Sequence, residues 1–344
     1  MRELLSTLNQ WFSEGKKVAL ATVVKVYGSA PRGLGAKMAV NQDGMMIGSV
    51  SGGCVESAVV AEALQIINNG QAKLLTYGIS QDQAFSIGLA CGGTIEVLVT
   101  PLAAEDYYRL EQDLGAERLT CIVSVITGPM CGEHLQAYPG GRLVGDFSST
   151  EIQNTMLATL PEVLSNQQSL RQKVFSTGEE NELFYDVFPP SLRLIVVGAV
   201  HIAIPLIQFA NTLGFHTILV DPRKGFSNRE RFPHVVELVQ DWPEEALQRL
   251  GLNEGTFLVV ISHDDKLDVP ALAAGCASPV RYIGALGSRK TFENHLRDLR
   301  EMGVPEESLQ RIHSPVGLDI GARGAEEIAL AIIAEIIAVK NGTK

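Results

Sequence analysis

The residues best placed to do chemistry are cysteines on glycine turns. In Ile47-Gly48-Ser49-Val50-Ser51-Gly52-Gly53-Cys54-Val55-Glu56, an apolar run meets a Gly-Gly turn and then an amphipathic stretch. Cys54 thus falls in the first turn of the helix expected there. Unpaired N–H groups and the positive end of the helix dipole favour a thiolate at such a position, and the glycines let a ligand approach the main chain. Half-ionising a thiol of pKa about 8.5 at pH 7 takes roughly 2 kcal/mol, near the upper limit of what a helix terminus supplies. Glu56 acts in the opposite direction. Cys54 also fits as a small packing residue under a tight turn, and spacing leaves both readings open. Gly88-Leu89-Ala90-Cys91-Gly92-Gly93-Thr94 sets Cys91 on a second such turn. If the turns converge, they form a cleft of backbone donors and soft sulfur suited to an anionic or metal-bearing ligand. A loop from Tyr27 to Met38 adds Arg32 and Lys37, which could hold an anion. Cys121 and Cys276 read as packing residues, and Cys131 is uninformative.

A second cluster opens with Gly198-Ala199-Val200-His201 after an apolar run, with Asp221 at the end of the next run. This is the context of a dinucleotide fingerprint, Asp221 standing where a ribose-binding acid belongs. Val200 replaces the glycine that admits the pyrophosphate, which weakens ordinary NAD(P) binding; an NAD(P)-dependent oxidoreductase stays open as the alternative function. Further loops at expected strand ends carry His263, a candidate acid or base, then Gly284-Ala285-Leu286-Gly287-Ser288-Arg289 and Ser314-Pro315-Val316-Gly317-Leu318-Asp319.

The elements that must position these residues divide at Pro189-Pro190. After that breaker, apolar runs at 192–197, 217–220, 235–239, 257–261 and 280–283 alternate with helical stretches at 202–213, after Ser288, and at 325–340. That alternation predicts a Rossmann-like, doubly wound parallel sheet over 191–344. Before the breaker, strands at 18–26, 37–40, 45–50, 74–77 and 94–100 surround a helix at 55–67, an α+β domain over 1–188. The stretch 105–188, with a strand at 119–126, a helix at 152–164 and a short strand at 184–187, reads as its extension, and no internal repeat is visible. The fold class is α/β.

Composition excludes several functions. The 344 residues carry a net charge of −11, which speaks against non-specific nucleic-acid binding. Five cysteines without a CxxC pair or zinc spacing fit a reduced, cytoplasmic protein, and no signal peptide or membrane anchor is expected. The 33 glycines concentrate on the turns described above. The apolar last helix suits burial in a core or a homodimer contact.

Taken together, the Ser-x-Pro loop, Gly-Gly-Cys54-Val-Glu, Cys91-Gly-Gly, Gly-Ala-x-His201, Leu-Gly-Ser-Arg289 and Ser-Pro-Val-Gly-Leu-Asp319 resemble the XdhC/CoxI family of xanthine dehydrogenase accessory proteins. The resemblance implies a maturation factor, more a chaperone than a catalyst, that binds molybdenum cofactor (molybdopterin) and supports its sulfuration. Its implied partners are a molybdenum hydroxylase such as xanthine dehydrogenase and a cofactor sulfurase. It also implies that Cys54 is the cysteine tied to the cofactor, as a molybdenum contact. The cofactor-binding set expected on all these grounds is Cys54, Gly52, Gly53, Cys91, Gly92, Gly93, Arg32, Gly198, His201, Asp221, Arg289 and Asp319. Val200, where the family has Gly-Ala-Gly-His, and Ala325, where it has proline, depart from its pattern. The chain lacks the cysteine sets for iron–sulfur clusters, so it is not the dehydrogenase itself.

Overall fold

The computed structural model describes residues 1–78, 93–176 and 178–343. The chain forms two compact units, Met1–Phe188 and Pro189–Lys344.

Unit 1 contains the same architecture twice, so the extension 105–188, in which no internal repeat is visible from sequence, repeats the arrangement that precedes it. Helix α1 (Leu5–Ser13) leads into β1 (Val18–Tyr27), β2 (Lys37–Asn41), β3 (Met46–Gly48), α2 (Glu56–Asn69), β4 (Lys73–Gly78) and β5 (Thr94–Leu102). Helix α3 (Ala104–Gly115) then leads into β6 (Thr120–Val125), β7 (His134–Ala137), β8 (Leu143–Val144), α4 (Thr150–Asn166), β9 (Leu170–Ser176) and β10 (Glu179–Phe188). The sheets run β3-β2-β1-β5-β4 and β8-β7-β6-β10-β9, antiparallel throughout. The two orders are identical. Sequence similarity between the halves is confined to Gly44-Met-Met-Ile-Gly-Ser-Val-Ser51 and Gly141-Arg-Leu-Val-Gly-Asp-Phe-Ser148, too short to announce a repeat. Gly48 and Gly145, equivalent within these segments, have φ of 85° and 93°; the first is the last residue of β3 and the second follows β8.

Alternation along the strands sends one face of each sheet to its helix. Ala19, Ala21, Val23, Val97 and Val99 pack on Val59, Ala63 and Ile66 of α2, while Cys121, Val123, Leu183 and Tyr185 pack on Ile152, Met156 and Leu160 of α4. The opposite faces meet each other at Val24, Leu98, Ile126 and Phe184. Ion pairs cross this layer: buried Lys37 Nζ lies 2.5 Å from Asp186, and the part-buried Arg171, paired with Glu182 of its own sheet, reaches Glu96 of the other. A cavity of about 360 Å³ remains between the sheets, lined by matched pairs such as Thr22 with Ser124 and Leu98 with Phe184.

Unit 2 is a six-stranded parallel sheet of order β13-β12-β11-β14-β15-β16, the doubly wound dinucleotide-fold order. Its strands are β11 (Arg193–Val197), β12 (His216–Val220), β13 (Glu237–Val239), β14 (Thr256–Val260), β15 (Tyr282–Ala285) and β16 (Ile312–His313). The helices are α5 (Ala203–Thr212), α6 (Pro243–Leu250), α7 (Asp265–Cys276), α8 (Arg289–Glu301), α9 (Glu306–Leu309) and α10 (Ala325–Lys340). Leu194 and Val196 face α5 and α10, whereas Ile195 and Val197 face α6, α7 and α8. Ile332, Ile333 and Ile336 of α10 are buried on that first face, so the apolar last helix is largely consumed by the core of its own unit. Among the described residues, no helix is long and apolar enough to cross a membrane.

Candidate functional site

In unit 1 the cysteine loop is built around a carboxylate. Gly48 turns the chain at the end of β3, where a Cβ would stand 2.4 Å from the Lys37 carbonyl oxygen. The chain then circles Glu56, the first residue of α2, which is 4% exposed. The Ser49 hydroxyl (2.6 Å) and the amides of Val50 (3.2 Å) and Ser51 (2.9 Å) donate to Glu56 Oε1. The Ser51 hydroxyl (2.5 Å) and the amides of Gly53 (2.9 Å) and Val55 (3.2 Å) donate to Oε2. Burial alone would raise this carboxyl, but the hydrogen bonds outweigh it and hold its pKa down at about 2. The remaining loop amides are also used: Gly52 N–H donates to Ser49 Oγ, and Cys54 N–H to Ser51 Oγ.

This corrects two expectations: Cys54 lies ahead of α2, before the N-cap Val55 rather than in the first helical turn, and the amides of the loop that carries it are not open to a ligand phosphate. The chain's own Glu56 is the anion bound there. What remains presented is the half-buried Cys54 beside exposed Gly52 and Gly53, with open space where a Gly53 Cβ would stand.

The loops do come together. Gly52 lies against Pro31, 3.3 Å from the position of its Cβ to the proline ring, and Arg32 Nε donates to the Ser49 carbonyl at 3.2 Å. Gly93, at the start of β5, is pressed on the carbonyls of Tyr27 and Ser29, the latter 2.4 Å from where its Cβ would be. The 28–33 segment is therefore flanked by the Cys54 loop and by Gly93. Cys91 and Gly92 lie outside the described residues. Lys37, read from sequence as an anion-binding base, is 2% exposed and committed to Asp186 and the Gly35 carbonyl. Burial lifts the pKa of Cys121, Cys131 and Cys276, so they are poor nucleophiles. Among the described residues, no group of three or more His, Cys, Asp or Glu could hold a metal by itself.

In unit 2, Gly198 (φ 111°) lets the turn after β11 touch Ser262, whose Cα would lie 2.5 Å from a Cβ there. Val200 sits at negative φ and packs against the apolar layer, so the glycine expected at that place is not required by the backbone. Asp221, fully buried, accepts from Ala199 N–H (2.7 Å) and Arg223 Nη2 (2.7 Å) on one oxygen. Its other oxygen accepts from Arg223 N–H (2.9 Å) and Nε (2.9 Å). Four donors fill the four acceptor sites of a carboxylate, leaving none for a ribose diol. Burial opposes ionisation, but Arg223 and the amides keep the Asp221 pKa below the ordinary range. His201, Arg289 and Asp319, all exposed, stand in the segments after β11, β15 and β16, at the strand-end edge of the sheet.

Sequence reasoning missed Glu56 as the organiser of the loop and Arg223 as the partner of Asp221. The signal for Glu56 was present, serines upstream of a glutamate in a first helical turn, as in a capping motif. Arg223, two residues beyond the acid, gave none.

The model of the XdhC and CoxI family matches residues 11–78, and that of the XdhC Rossmann domain matches residues 194–336. A Bacillus subtilis protein described as a probable xanthine dehydrogenase subunit is 27% identical over 340 residues, covering 97% of this chain and 96% of that protein. The molybdenum cofactor insertion chaperone PaoD of Escherichia coli is 28% identical over 339 residues, covering 98% and 88%. A crystal structure of a protein described as a xanthine dehydrogenase from Bacillus halodurans superposes with a TM-score of 0.60 at 26% identity, covering 99% of this chain and 96% of that one. Both halves of the sequence and its full length thus place the chain in the XdhC and CoxI family.

Proposed function

We propose that the chain is a maturation factor that receives molybdenum cofactor as cargo, supports its sulfuration and delivers it to a molybdenum hydroxylase of the xanthine dehydrogenase type. The observation that carries this reading is Cys54, half-buried on a loop whose amides from Val50 to Val55 are tied inward by Glu56, Ser49 and Ser51. A thiolate is a soft ligand suited to molybdenum or its labile sulfur. With the loop amides occupied, Arg32, held on the Ser49 carbonyl and on exposed Glu3, is the cation beside the loop that meets an anionic part of the cargo. The names of the relatives, a molybdenum cofactor insertion chaperone and a xanthine dehydrogenase subunit, support the same cargo and client.

The test mixes purified protein with molybdenum cofactor and compares retention after gel filtration by the wild type and Cys54→Ser. At least tenfold weaker retention by the variant is expected. Equal retention would remove Cys54 from the role, and no retention by either would remove the cargo.

A further inference from the structure

The segment between β12 and β13 is unused by the reading above, and it is strongly built. On a chain of net charge −11, positions 222–236 carry Arg223, Lys224, Arg229 and Arg231 against the single acid Glu230. The buried Ser227 pins the segment, its hydroxyl donating to the carbonyls of Asp221 (2.8 Å) and Arg223 (3.1 Å). Arg231 Nη1 ties it to the fingerprint turn through the Ala199 carbonyl at 3.0 Å. Phe226, 47% exposed, has the guanidinium of Arg223 at 4.8 Å and that of Arg231 at 5.8 Å from its ring centre. Nearby acids are themselves engaged: Asp264 accepts from Lys266 N–H and Asp268 from the Ser262 hydroxyl.

At this place in the fold, beyond the second strand, a ribose is recognised either by a carboxylate on its hydroxyls or by an arginine on a ribose phosphate. The carboxylate here is saturated. Arg223 is held rigid by Asp221 through Nε and Nη2, its side chain is 31% exposed, and Lys224 beside it is exposed. A guanidinium with spare donors on an aromatic ring suits a phosphate monoester and a stacked base.

We propose that unit 2 binds a nucleotide whose ribose carries a phosphate monoester, as NADP does at its 2′ position and coenzyme A at its 3′ position, with Arg223 and Lys224 on that phosphate. NAD lacks the group and is discriminated against. This site owes nothing to Cys54, so it stands or falls independently of the cargo reading.

The experiment is calorimetric titration of the full chain with NADP⁺, NAD⁺, 2′,5′-ADP, AMP and coenzyme A. NADP⁺ or coenzyme A is expected to bind at least tenfold more tightly than NAD⁺, and whichever binds identifies the source. If NADP⁺ is the ligand, 2′,5′-ADP should likewise exceed AMP. Arg223→Gln should erase the preference. Because that variant also unpairs Asp221 and could fail to fold, Lys224→Glu, at an exposed position, is the second probe and should weaken the phosphorylated ligand several-fold while leaving NAD⁺ unchanged. NAD⁺ binding as well as NADP⁺, no binding by either ribose-phosphorylated ligand, or indifference to Lys224→Glu would each overturn the proposal.

Discussion

The two halves of unit 1 share one frame and differ at one connection. In the second, five positions separate Gly145 from the first helical residue, Thr150, and Ser149 caps the helix by accepting from Ile152 N–H. In the first, eight positions separate Gly48 from Glu56, and the N-cap Val55 offers no side-chain bond. Those additional residues make room for the Gly-Gly-Cys turn. Its orphaned amides need an acceptor, and Glu56 supplies one from inside the helix. The cysteine loop is thus a longer connection on a scaffold that closes well without it. The loop's order depends on one internal anion.

Substitutions in the two connections should separate their roles. The largest effect is expected at the matched glycines. Gly48→Ala forces a Cβ to 2.4 Å from the Lys37 carbonyl at a left-handed φ, whereas at Gly145 the nearest atom is at 3.3 Å. Urea denaturation should show a loss of about 3 kcal/mol or more for the first and about 1–2 kcal/mol for the second. Equal losses would mean that the two turns are not stressed differently.

Glu56→Gln should follow, at about 3 kcal/mol, since it removes a charge that six donors surround. Its folded pKa of about 2 lies below the ordinary 4.5, so the stabilisation is full above pH 4.5 and is lost as pH falls through 2. An acid titration of stability should therefore be flatter in the variant across that window. Parallel curves would contradict the assignment.

Cys54→Ser should leave the melting temperature within error while weakening cofactor retention at least tenfold, about 1.4 kcal/mol in binding. A matched Thr150→Cys in the second half should gain no retention, because that connection has no Gly-Gly pair beside the position. The smallest effect is expected for Ser149→Ala, about 1 kcal/mol by thermal melting, the ordinary cost of losing an N-cap.

Much of the fold is legible in the residues. Each long parallel strand of unit 2 is an apolar run bounded by glycine, proline or polar turns, and the final helix spans 325–340 as its apolar pattern indicates. β16, Ile312–His313, is too short for any periodicity to reveal it. The strand expected at 45–50 stops at Gly48 because the positive φ there turns the chain out of the ladder. Helices α1 and α3 went unread, and they pack on each other through Phe12 and Tyr107, whose rings lie 4.7 Å apart. In the site, the residue types and their neighbourhoods were readable, but the partners of the charged groups were not. Lys37 and Asp186 are 149 positions apart, and no local pattern pairs them.

The residues alone specify the α/β class, the parallel sheet of unit 2, and a glycine turn with Cys54 just ahead of a helix. These follow from interactions among near neighbours: apolar periodicity, turn residues and helix boundaries. It takes the three-dimensional arrangement to show that unit 1 repeats one strand order, that Glu56 gathers the amides of the cysteine loop and that Asp221 has no acceptor left. Each depends on which groups meet in space and on how many hydrogen bonds one carboxylate can hold, and spacing along the chain encodes neither.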